Sequence, residues 1–186
     1  NLINFFNKYG SDKSQTLLAY VYFEIFNKYK IKSLFEIGLG STDLRIRSNM
    51  GIDGKPGASL RAFRDYLNIE VYGADIDKKA LFNEDKIKTF FIDQLDASSI
   101  ENLRNNLKKM DLIIDDGLHQ PDANLNVILE LVDQLNPSGI LVIEDIESCF
   151  GDIFEKVERT FSIKKDYITS LIKMLNGKYC LLIQRI

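Results

Sequence analysis

The chain has 186 residues, enough for one domain with a sizeable core. With 45% hydrophobic and 27% charged residues it reads as a globular protein, and a net charge of −3 excludes nucleic acid as the main partner on electrostatic grounds. Cys149 and Cys180 are too few for a disulfide framework, no apolar run nears the ~20 residues that span a bilayer, and no signal-peptide pattern is visible, so a cytoplasmic location is expected.

Residues 1–30 carry a helical pattern broken at Gly10-Ser11-Asp12. Leu17, Leu18, Val21, Tyr22, Ile25 and Phe26 recur at three-to-four spacing, which predicts a helix from about Lys13 to Tyr29, with Ser11 or Asp12 as its cap. Gly10-Ser11-Asp12-Lys13 is either that cap and turn or part of an N-terminal lid segment. Leu34-Phe35 predicts a first strand that runs into Glu36, followed by Gly38 and Gly40, where backbone can approach a ligand closely. A tight turn is the plain alternative for two glycines so spaced. Residues 41–58 read as an inserted loop over a ligand pocket, and a helix begins near Ser59.

The second strand, Glu70 to Asp77, ends in Asp75 and Asp77, which either bind ribose hydroxyls or cap a helix starting at Lys78. Lys88 to Ile92 predicts a third strand before Asp93-Gln94, and residues 98–109 an amphipathic helix. Leu112 to Asp115 predicts a buried fourth strand ending in Asp115-Asp116, with His119 three residues on. A helix over 122–135, a turn at Asn136-Pro137-Ser138-Gly139 and a fifth strand from Gly139 to Asp145 follow. Residues 152–161 look helical, and strands at 166–174 and 178–186 meet at Asn176-Gly177, a hairpin signal. The whole predicts one α/β domain over 1–186. Its doubly wound, mostly parallel seven-stranded sheet ends in an antiparallel C-terminal hairpin.

Five successive strands end in acids: Glu36, Asp75, Asp93, Asp115-Asp116 and Glu144-Asp145. Clustered carboxylates repel, so something positive is expected among them. The first three suit a nucleoside with a cationic tail, and the last two suit a divalent ion such as Mg2+. No third glycine completes a dinucleotide fingerprint after Gly38 and Gly40, which argues against NAD and suits S-adenosylmethionine.

The stretches YGSDK at 9–13, FEIGLG at 35–40, PGASLRAFRDY at 56–66, VYGADID at 71–77, DQLD at 93–96, IIDDGLHQ at 113–120 and VIEDI at 142–146 carry a resemblance. Over nearly its whole length the chain resembles the class I S-adenosylmethionine-dependent methyltransferases, which have a Rossmann-like fold. More narrowly it is similar to the magnesium-dependent sugar O-methyltransferases of the macrolide-sugar type. The resemblance implies that Glu36, Gly38 and Gly40 line the methionine and ribose portion of the cofactor and that Asp75 takes the ribose hydroxyls, with Ser59 and Asp77 also among the cofactor-binding residues. Asp93 and Gln94 would border the adenine, and Asp115 would face the amino group. Asp116, Glu144 and Asp145 would hold Mg2+, and His119 would be the general base. Two departures from the macrolide enzymes are expected: no large N-terminal domain, and a longer loop over 41–58.

If strands four and five are neighbours, about 4.8 Å apart, Asp116 and Glu144-Asp145 converge although far apart in sequence. A sugar hydroxyl is a poor nucleophile until its proton is removed, and an imidazole of pKa about 6.5 can take it. The expected acceptor is a sugar, nucleotide-linked, part of a capsular glycan, or on a glycosylated natural product, and the protein could be a homo-oligomer. The alternatives are a catechol-type methyltransferase, a hydroxylase-like relative, and a cofactor-binding module without catalysis.

Overall fold

The computed structural model describes residues 1–186, which divide into two compact units, Asn1–Phe91 and Ile92–Ile186. The first unit holds helices α1 (Leu2–Tyr9), α2 (Leu18–Lys28) and α3 (Ala58–Leu67) and strands β1 (Leu34–Ile37), β2 (Val71–Asp75) and β3 (Ile87–Phe91). The second holds α4 (Ala97–Asn106), β4 (Met110–Asp115), α5 (Pro121–Leu131), β5 (Leu135–Ile146), α6 (Gly151–Ser162), β6 (Tyr167–Lys173) and β7 (Tyr179–Arg185). The seven strands form a mixed sheet in the order β3-β2-β1-β4-β5-β7-β6, the doubly wound arrangement with an antiparallel hairpin that the sequence predicts.

In the first unit β1, β2 and β3 pair in parallel, and β1 and β2 are buried along their whole length. Strands with no solvent face read as continuous apolar runs, which is why they are visible in the sequence. Helix α1 starts on the Asn1 side chain, which accepts the Ile3 N–H at 3.0 Å, and ends at Gly10 with φ 77°. Its Phe6 meets Phe63 of α3 edge to face at 5.3 Å, and Tyr22 and Phe26 of α2 meet the same ring at 5.1 and 5.9 Å. Asp65 of α3 accepts from the Tyr9 hydroxyl and pairs with Lys8 at 2.9 Å and Arg64 at 2.8 Å.

One expected element differs, and one that the sequence left open does not form. The helix predicted from Lys13 begins instead as a single 3-10 turn, Asp12–Gln15, and α2 starts only at Leu18. Local side chains cause the break: Ser11 Oγ takes the Lys13 N–H, and Thr16 Oγ1 takes the Leu18 N–H at 3.3 Å, in competition with helical bonding. No helix follows β2 either. Asp77 Oδ1 accepts the Lys79 N–H at 2.9 Å, and Phe82 donates its N–H to Thr89 of β3 at 2.7 Å, which ties the segment across that strand.

In the second unit β4 and β5 are parallel neighbours, and β7 pairs antiparallel with both β5 and β6. The turn expected at 136–139 lies inside β5 as an outward bulge. Met110 pairs with Leu135 and Leu112 with Ile140, so Asn136 to Gly139 face Asp111 alone. The hairpin is where the sequence places it, with Gly177 at φ 86°.

A second bulge shapes the site. Ile143 pairs with Leu181 and Ile146 with Tyr179, so Glu144-Asp145 on β5 oppose the single residue Cys180 on β7. The extra residue bends a strand and re-aims a side chain. Asp145 takes up the distortion with φ 52°, an uncommon conformation for a residue with a Cβ.

Candidate active site

The first unit's acids lie where β1 and β2 end, and each has partners inside the unit. Glu36 is fully buried on β1; its Oε2 accepts the Ser59 hydroxyl at 2.8 Å, and its Oε1 lies 3.7 Å from the ammonium of Lys13. Lys13 is only 2% exposed. Asp75 accepts three backbone N–H groups: Leu39 at 2.8 Å and Gly40 at 3.1 Å on Oδ2, and Asp77 at 2.8 Å on Oδ1. Burial pushes its pKa above the usual carboxylate range, and these bonds offset that only in part. Its first task is therefore to hold the turn after β1.

That turn needs its glycines. Gly38 and Gly40 have φ of 93° and 85°, and a Cβ on Gly40 would lie 2.0 Å from Met50 Sδ. Met50 belongs to the loop over 41–57, which folds back on this turn, with the Met50 N–H on the Ser41 carbonyl at 2.8 Å and the Gly57 N–H on the Leu39 carbonyl at 2.7 Å. Asp77 is half-exposed and accepts the buried Ser41 hydroxyl. With Thr42, Asp43, Pro56, Lys79 and Ala80 it lines a cleft of about 260 Å³.

The second unit's acids lie where β4 and β5 end. Asp115 is fully buried, with Gln94 Nε2 at 2.7 Å and the Gly117 N–H at 3.3 Å on Oδ1, and Asn124 Nδ2 at 2.8 Å on Oδ2. Burial raises its pKa, and the donors from Asn124 and Gln94 work against that rise. Gln94 uses the other end of its amide as well, accepting the Leu118 N–H at 2.8 Å. Gly117 fits beneath this amide: a Cβ there would lie 2.0 Å from Gln94 Oε1. The Gln94–Asp115–Asn124 network thus fixes the path of residues 116–119. Asp93 is half-exposed and accepts the Leu95 N–H at 2.9 Å.

Asp116, His119 and Asp145 come together at the mouth of these strands, with one ligand atom from each lying within 4.8 Å of the others. His119 Nε2 is 3.6 Å from Asp116 Oδ1, and its Nδ1 is buried without a hydrogen-bond partner. His119 has φ 55°, so two of the three residues adopt a left-handed backbone conformation. Such strain gathers at functional sites. Two carboxylates beside an imidazole with an unpartnered buried nitrogen form a donor set that fits a divalent ion. Glu144, the third metal ligand expected from the sequence, precedes Asp145 on the bulge and is 1% exposed, whereas the Asp145 side chain is 32% exposed. Asp145 also pairs with Lys178 at 3.3 Å.

No protein-family model matches the chain. It is 29% identical over 153 residues to the 8-demethyl-8-alpha-L-rhamnosyl tetracenomycin-C 2'-O-methyltransferase of Streptomyces olivaceus, covering 80% of this chain and 38% of that protein. It is 30% identical over 95 residues to the mycinamicin VI 2''-O-methyltransferase of Micromonospora griseorubida, covering 50% of this chain and 24% of that protein. The MycE methyltransferase of the mycinamycin pathway, in complex with Mg and SAH, superimposes with a TM-score of 0.80 at 19% identity, covering 99% of this chain and 54% of that chain. The chain has a Rossmann-like methyltransferase fold. It spans about half the length of the MycE chain and less of the two curated relatives.

Within this methyltransferase fold, sequence reasoning reached the acids at the strand ends but missed what engages them. Lys13 read as a turn residue, and nothing local marks it as buried. Asn124 did leave a signal, a polar side chain among the buried Ala123, Val127 and Ile128 of α5. Lys178 read only as hairpin, since its tie to Asp145 depends on the bulge in β5. No helix is long and apolar enough to cross a membrane.

Proposed function

We propose that this chain is an S-adenosylmethionine- and Mg2+-dependent O-methyltransferase acting on a sugar hydroxyl. The observation that carries this reading is the Asp116–His119–Asp145 cluster at the β4 and β5 ends of a methyltransferase fold. Similarity to enzymes named for methylating sugars on natural products supports the acceptor class and favours a glycosylated natural product. The MycE structure with Mg, SAH and mycinamycin VI, which superimposes with a TM-score of 0.79, gives the same support.

In this reading, Asp116 and Asp145 hold the divalent ion, and Glu144 supports them from the buried side of the bulge. Gly38, Gly40 and Asp75 shape the cofactor turn, Glu36 and Ser59 back it, and Asp77 offers the open carboxylate for ribose hydroxyls. Asp93 borders the adenine, while Gln94 and Asp115 fix the loop that carries the catalytic residues. When bound, the divalent ion supplies charge that eases deprotonation of a sugar hydroxyl, and S-adenosylmethionine supplies the methyl group. His119 accepts the hydroxyl proton through Nε2, which lies 3.6 Å from Asp116 Oδ1. The buried Gln94–Asp115–Asn124 network keeps His119 in place during transfer.

The test is direct. S-adenosylhomocysteine should bind in calorimetry and NAD should not. A panel of glycosylated natural products, nucleotide-linked sugars and capsular glycans, incubated with S-adenosylmethionine, should yield one class of acceptor that gains a methyl group by mass spectrometry. Excess chelator should abolish that transfer and Mg2+ should restore it. Transfer at full rate in chelator, or to catechols alone, would overturn the reading.

A further inference from the structure

Lys178 lies in the loop that joins β6 to β7, and its ammonium reaches back to the end of β5. Its Nζ is 3.3 Å from Asp145 Oδ2 and 3.2 Å from Glu147 Oε1. The side chain is 29% exposed, so water screens the pair only in part. Asp145 thus belongs to two arrangements at once, the ion pair with Lys178 and the cluster with Asp116 and His119.

These two arrangements compete. Asp116 and Asp145 offer two negative charges to a divalent ion, and Lys178 already draws on one of them. An ion held by those carboxylates would lie a few ångströms from an ammonium of the same sign. We propose that Lys178 is a resident counter-cation of the metal site, competing with the divalent ion for Asp145 and so setting how tightly that ion binds. Glu147 gives the ammonium a second anchor, which keeps Lys178 at the site when Asp145 turns to the ion. Lys178 acts here through Asp145, as a positioning residue. The inference rests on reading the Asp116–His119–Asp145 cluster as the metal site.

The size of the effect follows from Coulomb's law. A unit charge about 6 Å from a divalent ion in a water-like dielectric shifts its affinity by about tenfold. The experiment titrates the whole protein with Mn2+, by calorimetry and by the loss of free Mn2+ signal in electron paramagnetic resonance, without cofactor or acceptor. Lys178→Met and Lys178→Gln should bind Mn2+ about tenfold more tightly than wild type. Lys178→Arg, which keeps the charge, should stay within about twofold of wild type. Damage to the site would weaken binding, so tightening cannot come from misfolding. Equal or weaker binding in Lys178→Met, with Asp116→Asn still abolishing it, would overturn the role of Lys178 and leave the metal site standing. Absence of Mn2+ binding by wild type would remove the metal site and this inference together.

Discussion

Both compact units carry acids where two of their strands end, but they engage them differently. In the first unit Asp75 and Glu36 are held internally, Asp75 by three backbone N–H groups and Glu36 by Ser59 and Lys13. The second unit divides the labour between adjacent residues. Asp115 is buried under three donors, while Asp116 emerges beside His119 and Asp145. An acid at a strand end is therefore not evidence of a ligand in itself. Two tests separate the cases: whether nearby N–H groups have already claimed the oxygens, and whether the backbone is strained to present them, as at His119 and Asp145.

Experiments can break this contrast, the largest effect coming from the presented group. His119→Asn should lower kcat by about 10²–10⁴-fold with little change in S-adenosylhomocysteine affinity, the usual contribution of a positioned base. Retention of more than about a tenth of the wild-type rate would return proton removal to solvent. Next comes the division between neighbours. Asp115→Ala should cost about 3 kcal/mol in urea unfolding, because it strands buried donors, while Asp116→Ala should stay within about 0.5 kcal/mol. Equal costs would erase the distinction between holding and presenting acids.

Smaller effects belong to the first unit. Asp75→Ala should lower stability by about 1–3 kcal/mol and weaken S-adenosylhomocysteine binding in step, since the same N–H groups form the turn. Weakened binding at unchanged stability would make Asp75 a ligand instead. The smallest effect is a matter of pH. The Tyr9 hydroxyl, then Lys8 and Arg64, hold the Asp65 carboxyl well below its usual range against the opposing pull of burial. A depressed acid contributes stability above its unfolded pKa of about 3.9 and loses it as pH falls through the folded value. Asp65→Asn should thus cost up to about 1 kcal/mol at pH 7, and the gap should close in acid. A gap independent of pH would show that packing, not charge, joins α1 to α3. Asp75 and Asp115, whose values are raised, should contribute with the opposite slope: most below about pH 3.9, and less as pH rises through their folded values.

The alternation of strands and helices was legible because buried parallel strands leave apolar runs, and Asn176-Gly177 marked the hairpin. Features that depend on side chains competing with local backbone were not legible, such as the 3-10 turn capped by Ser11 and the missing helix after Asp77. At the site, residue types pointed to carboxylates and an imidazole. The different burial of Glu144 and Asp145 needed the bulge against β7, which no spacing within β5 reveals. The engagement of Glu36 by Lys13, and of Asp145 by Lys178, joins residues 23 and 33 positions apart and exists only once the chain has folded.

Because His119 is the chain's one histidine, the protein has a built-in spectroscopic probe at its most informative position. A one-dimensional proton spectrum holds a single pair of imidazole carbon-bound signals, assigned without labelling or mutagenesis. Their shift against pH reads the protonation of that ring alone. Broadening by substoichiometric Mn2+ reads its distance from a bound paramagnet, and later addition of cofactor or acceptor reports on the same ring, all in one tube.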